Sequence, residues 1–188
     1  MNLAGQYAYA GREWVVERVR AIIGGTVTDS VHNHHNYAWR ETHGDRDLWV
    51  VRKGATPAFP GQRGFVGGSM GDDAVILSGI ESEAAAASFY STVHGAGRVM
   101  SRTQARGKRN RKTGEVITAG RITPEEMQAW LRERGVLLLG GDLDEAPQAY
   151  RRLPEVLACH DGTVRIEHTL RPFAVVMAGA EVFDPFKD

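Results

Sequence analysis

Hydrophobic residues recur at helical spacing near the start of the chain and predict a first helix over residues 4–23. The recurring positions are Tyr7, Trp14, Val15, Val19, Ile22 and Ile23. Apolar residues three and four positions apart lie on one side of a helix. The glycine pair at positions 24 and 25 ends the pattern and therefore the predicted helix.

A second helix is predicted over residues 122–135, because the sequence carries both start and stop signals there. Thr123 can cap the helix, Pro124 suits its first position, and Glu126 completes a capping box. Gly135 then ends it. Shorter helices are predicted over residues 84–89, 146–150 and 154–160.

Strand-like runs are interspersed with these helices. They cover residues 48–54, both ends of the segment 64–79, residues 136–141, and two runs within 164–179. Many glycine-containing loops connect them, and no internal repeat or domain linker is evident. The pattern predicts an α+β fold of mixed β-sheets flanked by helices, with long glycine-rich loops, in a single domain over residues 1–188.

Composition narrows the classes of function. The 188 residues are 42% hydrophobic and 24% charged, and the formal net charge is zero. Any attraction to nucleic acid must therefore come from a local patch. The single cysteine, Cys159, cannot form a disulfide within the chain, which fits a reducing cytoplasm. Neither a signal peptide nor a membrane span is predicted.

A histidine-rich loop precedes the first predicted strand and contains His32, His34 and His35, with Asn33 and Asn36 between and after them. Imidazoles bind divalent metals, and neighbouring carboxamides can orient phosphates or waters. The spacing matches no standard zinc motif. A metal site and a polar loop of hydrogen-bonding histidines are equally compatible with this pattern.

Two further loops could bind phosphate. Arg52 and Lys53 end an apolar strand, where two cations could receive a phosphate or could simply lie in solvent. Farther along, a loop contains Ser69 and three glycines, at positions 67, 68 and 71. Free amides in such a loop can form an anion-binding nest, although a tight hairpin would have the same composition.

The segment STVHGAGRVMSR, residues 91–102, places His94 before two glycines and an arginine. Such a histidine could be a base, a ligand or a nucleophile. Gly95 and Gly97 would let a phosphate approach the backbone, and Arg98 could bind its oxygens. Seven cations follow within fifteen residues, which is typical of a solvated loop or of a nucleic-acid contact. They are Arg98, Arg102, Arg106, Lys108, Arg109, Arg111 and Lys112.

Taken together and in order, the motifs HNYAWRE, RKGAT, GSMG, HGAGR and EAPQAY resemble the RtcB family of RNA-splicing ligases. The resemblance covers nearly the whole chain but only the C-terminal half of the family pattern. It implies an enzyme that uses GTP and Mn²⁺ to join RNA 3′-phosphate or 2′,3′-cyclic phosphate ends to 5′-hydroxyl ends. A guanylylated histidine is the intermediate in that reaction.

The resemblance also implies roles for individual residues. His94 is the expected guanylylated nucleophile and His35 a manganese ligand. Phosphate or RNA contacts are expected from Arg52, Lys53 and Arg98. The residues expected to bind the guanine nucleotide are Asn36, Ser69, Met70, Gly71, Gly95, Ala96, Gly97 and Tyr150, with Tyr150 stacking on the base.

The half of the family pattern that carries a metal-binding cysteine and further metal-binding histidines has no counterpart in this sequence. Three hypotheses follow: a ligase completed by a separate N-terminal half, a non-catalytic module that binds guanine nucleotide or RNA ends, and a remnant without ligand. The first predicts a large exposed apolar surface on this chain. Dependence on an accessory activator protein is left open.

Overall fold

The computed structural model describes residues 1–110, 113, 115–179 and 182. It contains helices and several small sheets, which confirms the α+β class. The helices are α1 (Asn2–Ile23), α2 (Glu83–Ala87), α3 (Arg102–Arg106), α4 (Pro124–Glu133) and α5 (Leu153–Ala158), with 3₁₀ helices at Leu143–Glu145 and Pro147–Ala149. The strands are β1 (Asn36–His43), β2 (Arg46–Lys53), β3 (Ala55–Pro57), β4 (Arg63–Val66), β5 (Ala74–Gly79), β6 (Ser91–Val93), β7 (Gly107–Arg109), β8 (Val116–Ala119), β9 (Leu137–Gly141), β10 (Val164–Leu170) and β11 (Ala174–Gly179).

The strands pair in small sets. Antiparallel pairs form between β1 and β2, between β3 and β6, and between β7 and β8. A parallel pair forms between β9 and β11, and β5 lies between β4 and β10 in a three-stranded sheet. The strand β1, whose residues are mostly polar, was not predicted from the sequence. The three-residue strands β3 and β6 and the β7–β8 hairpin were not predicted either.

The described residues group into two compact units. The first contains Met1–Phe65, Ile76–His94 and Asp161–Glu167. The second contains Val66–Val75, Gly95–His160 and the described residues from His168 onward. Each unit is therefore built from segments distant in sequence, and a single domain over residues 1–188 stays a prediction.

The helix α1 forms as its hydrophobic spacing predicted, and it ends where Gly24 adopts a left-handed conformation with φ of 74°. None of its residues is buried. Trp14 is 65% exposed and Ile22 is 81% exposed. Apolar side chains at this spacing normally contact a core, so α1 presents an apolar face that nothing among the described residues covers.

The core of the second unit is built around α4. Met127 and Leu131 of this helix are buried together with residues from neighbouring elements. Those neighbours are Met70, Ala105, Ile122, Val136, Ala146 and Ala149. The predicted start of α4 is confirmed, because the Thr123 hydroxyl accepts from the Glu126 amide and the Glu126 carboxylate accepts from the Thr123 amide.

The parallel pair β9–β11 also lies in the second unit and buries only one of its faces. Leu138 and Val175, which are register partners, pack against the core. The opposite face carries Leu137, Leu139 and Val176, all more than half exposed. Parallel sheets are normally covered on both faces, so this face is a second unpartnered apolar surface.

Among the described residues, no helix combines the length and the apolar character that crossing a membrane requires.

Replacing Thr123 by alanine tests the importance of the α4 cap. Loss of the capping oxygen should lower the free energy of unfolding by about 1 kcal/mol, as measured by urea denaturation. Thr103→Ala is the matched control, because Thr103 is exposed inside α3 and does not cap it. Equal destabilisation by both changes would contradict the capping role.

Candidate functional site

His94 follows β6 in the first unit and lies directly against a second histidine. The rings of His94 and His35 stack with centroids 5.0 Å apart and planes 10° apart. The chain passes close to this pair at Gly54, where an added Cβ would lie 3.5 Å from the His94 ring. The Gly54 amide also donates to the His35 carbonyl at 2.8 Å. Gly54, the residue after β2, therefore lies close to both predicted functional histidines.

The His94 side chain is suited to act as a nucleophile because its neutral form is favoured. Partial burial of the ring lowers the pKa of His94, and the neighbouring His35 lowers it further. A positive charge on one imidazole disfavours protonation of the other. His94 nevertheless belongs to the exposed residues, so a ligand can reach it from solvent.

Two of the predicted phosphate-binding residues lie at the open end of the β1–β2 hairpin. Asn36 and Lys53 are register partners there, and both are exposed. They are next in sequence to His35 and Gly54 respectively. Their side chains are therefore available for a ligand beside the stacked imidazoles.

The other two histidines of the polar loop have different surroundings. Arg12 donates to His32 Nε2 at 2.6 Å, and Tyr9 stacks on the same ring at 3.6 Å between centroids. His34 stacks on Tyr37. Burial, followed by the charge of Arg12, lowers the pKa of both His32 and His34. These contacts match the polar-loop interpretation for His32 and His34 and leave His35 as the histidine beside His94.

Arg52 lies inside the first unit and is 2% exposed. Its guanidinium donates to both carboxylate oxygens of Glu41, at 2.6 and 2.9 Å. It also donates to Ser91 Oγ at 2.9 Å and to the Phe89 carbonyl at 2.7 Å. A phosphate contact by Arg52 would have to displace these partners, and that contact stays a prediction.

In the second unit, the predicted nucleotide loop forms a turn held by its own side chains. The Ser69 hydroxyl donates to Asp72 at 2.8 Å, and Arg152 donates to the same carboxylate at 3.0 Å. Gly71 has φ of +82°, and an added Cβ there would meet Leu131 at 3.0 Å. Met70 is buried in the core. The turn is thus rigid, and Ser69 and Gly71 offer mainly backbone to a ligand.

The residues after His94 belong to the second unit and contact Gly67 of the same unit. The Ala96 amide donates to the Gly67 carbonyl at 3.0 Å, and Gly95 forms a backbone bridge with Gly67. Gly97 has φ of +76°, and nothing lies within 4 Å of the place of a Cβ. Open space beside a left-handed glycine is compatible with the predicted approach of a phosphate.

Arg98 and Tyr150, both predicted to bind ligand, contact each other. The Arg98 guanidinium lies 4.8 Å from the Tyr150 ring centroid and donates to its hydroxyl at 2.8 Å. Arg98 also donates to the carbonyls of Met100 and Asp144. The Tyr150 hydroxyl donates to Glu145. These contacts fix the plane of the Tyr150 ring, as stacking on a base would require.

Part of the predicted basic segment pairs with an acidic loop that the sequence analysis did not connect to it. Arg102 binds Asp144 at 3.2 Å and also contacts Glu145. Arg106 lies 3.8 Å from Asp142. The exposed Lys108 belongs to the same segment. Arg111, Lys112 and the side chain of Arg109 lie outside the described part of the chain.

Sequence reasoning missed the residues that hold the nucleotide turn. Trp130 packs on the Gly71 turn. Two guanidinium groups lie over its ring, that of Arg134 at 3.4 Å and that of Arg152 at 4.0 Å from the centroid. The start and stop signals of α4 located Trp130 on a helix, but no local pattern connected it with Asp72 or Arg152. Such pairings become visible only in the folded chain.

The described residues do not fit Mn²⁺ by themselves. Within the part of the chain that the structure describes, no group of three or more histidine, cysteine, aspartate or glutamate side chains is placed to hold a metal ion. His35 is the predicted ligand, and Mn²⁺ is among the weakest binders of the divalent series and needs several donors. A manganese ion at His35 would therefore need donors beyond those that the described residues place there.

The motifs and their arrangement agree with comparisons to known proteins. The family model described as tRNA-splicing ligase RtcB matches residues 1–178. RNA-splicing ligase RtcB of Escherichia coli K12 is 35% identical over 148 residues, which are 79% of this chain and 32% of that protein. RNA-splicing ligase RtcB of Mycobacterium tuberculosis H37Rv is 33% identical over 182 residues, covering 84% of this chain and 38% of that protein.

The chain therefore belongs to the RtcB family. It spans about a third of the length of the curated relatives that it matches.

Because burial and His35 both disfavour its cationic form, His94 should titrate below the ordinary histidine value of 6.5. Replacing His35 by alanine should move the His94 midpoint upward, since a neighbouring positive charge and part of the burial are removed. Nuclear magnetic resonance of ¹³C-labelled histidine measures the His94 midpoint in the unchanged chain and in the variant. His168→Ala controls for the loss of one histidine, and an unchanged His94 midpoint in His35→Ala would contradict the coupling.

Proposed function

We propose that this chain contributes the nucleophile and the guanine-nucleotide loops of a GTP-dependent RNA ligase. The ligase joins an RNA 3′-phosphate, or a 2′,3′-cyclic phosphate after its hydrolysis, to an RNA 5′-hydroxyl. The observation that carries the proposal is the exposed imidazole of His94, kept neutral beside His35 and next in sequence to a glycine segment. Family membership supports the same reaction.

In the first step, a ring nitrogen of His94 attacks the α-phosphorus of GTP. The bond between the α-phosphorus and its bridging oxygen breaks, and pyrophosphate leaves. A neutral imidazole has the lone pair that this attack needs, whereas an imidazolium has none. The lowered pKa of His94 supports this role at neutral pH.

In the second step, an oxygen of the RNA 3′-phosphate attacks the guanylyl phosphorus and releases His94. The RNA 5′-hydroxyl then attacks the activated 3′-phosphate, so that a phosphodiester forms and GMP leaves. Lys53, exposed at the end of β2, is the proposed phosphate contact on the first unit. A contact of this kind positions the RNA without reading its sequence.

The second unit supplies the proposed guanine pocket. Tyr150, whose plane is fixed by Arg98, is proposed to stack on the base. The backbone at Ser69 and Gly71 is proposed to bind the nucleotide, and the open conformation at Gly97 admits its phosphates. Preorganised turns of this kind lose little entropy when a ligand binds.

We further propose that the remaining Mn²⁺ ligands come from the part of an RtcB protein that this chain does not match. The donor set of the described residues is too small for the ion. The apolar face of β9–β11 also supports a packing partner, because its side chains are exposed to solvent. These side chains are Leu137, Leu139 and Val176. In this proposal, the complementary two thirds of the family fold cover that face.

A second function, the non-catalytic binding of guanine nucleotide or RNA ends, is favoured by one observation. The rigid Ser69–Gly71 turn and the Tyr150 ring lie in one unit together with Gly97. A nucleotide could bind this unit without any group from a metal site. Binding of GTP without transfer of its guanylyl group would identify this function.

Incubation with α-³²P-labelled GTP and Mn²⁺ tests the ligase proposal. The chain, mixed with the complementary part of the E. coli relative, should acquire acid-labile label on His94. The label should be absent in His94→Ala and present in His168→Ala, because only His94 supplies the attacking nitrogen. Mass spectrometry of the labelled peptide locates the modified residue.

The labelling experiment also separates the two functions. GTP binding by the chain with no label in any mixture would contradict the ligase proposal and support the binding module. Label that persists in His94→Ala would assign the nucleophile to another residue.

Leu139→Asp tests the proposed packing face of β9–β11. Since Leu139 is more than half exposed, the charge should leave the fold of the chain intact. It should weaken association with the complementary part at least about tenfold, because a buried leucine contributes about 1.5–3 kcal/mol. Sedimentation velocity measures the association, and the comparably exposed Val116→Asp on β8 is the control. Equal affinities for both variants would place the interface elsewhere.

A further inference from the structure

A buried ion pair lies in the first unit between the two strands of the β1–β2 hairpin. Arg52 on β2 is 2% exposed, and its two terminal nitrogens bind the two carboxylate oxygens of Glu41 on β1. Burial raises the pKa of Glu41, but hydrogen bonds from Arg52 and His43 outweigh it and keep that pKa below its usual value. Glu41 is therefore a carboxylate at neutral pH and remains paired with Arg52.

The donors that Arg52 does not use for Glu41 reach the segment that leads to His94. Its Nε donates to Ser91 Oγ, and one terminal nitrogen donates to the Phe89 carbonyl. A single planar guanidinium thus connects the hairpin to Ser91 and Phe89, which lie three and five residues before His94. Lysine could not reproduce this set of contacts, because it has one nitrogen and no fork.

This segment needs an external restraint. Phe89 and Tyr90 have φ of 53° and 46°, a left-handed conformation that non-glycine residues rarely adopt. Such conformations persist where the surroundings fix them. Besides Arg52, the surroundings include Ala58, whose amide donates to the Tyr90 carbonyl at 2.7 Å. The strand β6 begins directly after this strained turn and pairs with β3.

The residue that follows β2, Gly54, also lies close to the His94 ring. Two residues after Arg52, Gly54 binds the His35 carbonyl and lies against His94. We propose that Arg52 and Glu41 are positioning residues that hold His94 in register with His35. The effect on guanylyl transfer rests on the proposed function, whereas the effect on the His94 segment does not.

The test compares Arg52→Lys with the unchanged chain by hydrogen exchange and by nuclear magnetic resonance of the His94 ring. The backbone amides of residues 90–94 should exchange about tenfold faster in the variant, since a charge-assisted anchor is lost. The amide of Leu77, buried in the same unit, should change less than about twofold if the effect is local. The His94 ring signals should shift as the stack with His35 loosens.

Arg40→Lys is the matched control. Arg40 lies on the same hairpin and forms an ion pair with Asp47 at 2.9 Å, but this pair is exposed. An exposed pair contributes little to stability, so the exchange of residues 90–94 should remain within about twofold of the unchanged chain. Should Arg52→Lys fail to fold, Ser91→Ala keeps the Arg52–Glu41 pair and removes the Nε contact together with the bond from the Ser91 hydroxyl to the Phe89 carbonyl. It should accelerate the same amides, though less.

Faster exchange confined to residues 90–94, with shifted His94 signals, supports the positioning role. Unchanged exchange there, or acceleration no greater than that of Leu77, overturns it. With the complementary part present, Arg52→Lys should also lower the labelling rate about tenfold while the Kd for GTP changes less than about twofold. An unchanged labelling rate overturns the proposal as well, and absence of label in the unchanged chain instead contradicts the proposed function.

Discussion

A guanidinium that is almost fully removed from water must be balanced by a charge and by hydrogen-bond acceptors. Glu41 balances Arg52, and Ser91 and Phe89 provide the remaining acceptors. This one side chain therefore ties two segments that are about forty residues apart in sequence. Its contacts reach the β1–β2 hairpin, the left-handed turn after α2 and the strand that precedes His94. Removing either charge would leave the other buried and unpaired, which is more costly than losing an exposed pair.

Features governed by neighbours in sequence could be predicted. The limits of α4 follow from Thr123, Pro124 and Glu126, because capping acts within one helical turn. The helix α1 and the strands β2 and β9 follow from the spacing of their apolar residues in the same way. The closeness of His35 and His94 was suggested only by the family motifs, since spacing alone cannot relate two loops nearly sixty residues apart.

Features governed by long-range pairing could not be predicted. The strand β1 contains Arg40, Glu41 and His43, and this polar composition does not predict a strand. Its partly buried carboxylate, Glu41, is explained only by the contact with Arg52 on the neighbouring strand. Likewise, Arg102 and Arg106 belong to a basic run that is typical of an RNA contact. In the fold, both lie against the acidic 3₁₀ segment near residues 142–145. Formal charge counts say nothing about which charges are neutralised by internal partners.

The chemical and the packing observations support the same proposal, in which a further part of an RtcB fold contacts this chain. A metal site draws its ligands from several segments of a fold, so a chain that matches about a third of its relatives carries only some of them. The same third of a fold leaves apolar faces without their usual cover. Both effects are seen here, in the solitary predicted ligand His35 and in the bare faces of α1 and β9–β11. By contrast, the His94 segment and the Gly71 turn are held by contacts within their own units. Their geometry therefore does not depend on a further part of the fold. In the proposed function, binding of such a part would add metal ligands beside the predicted nucleophile without rearranging it.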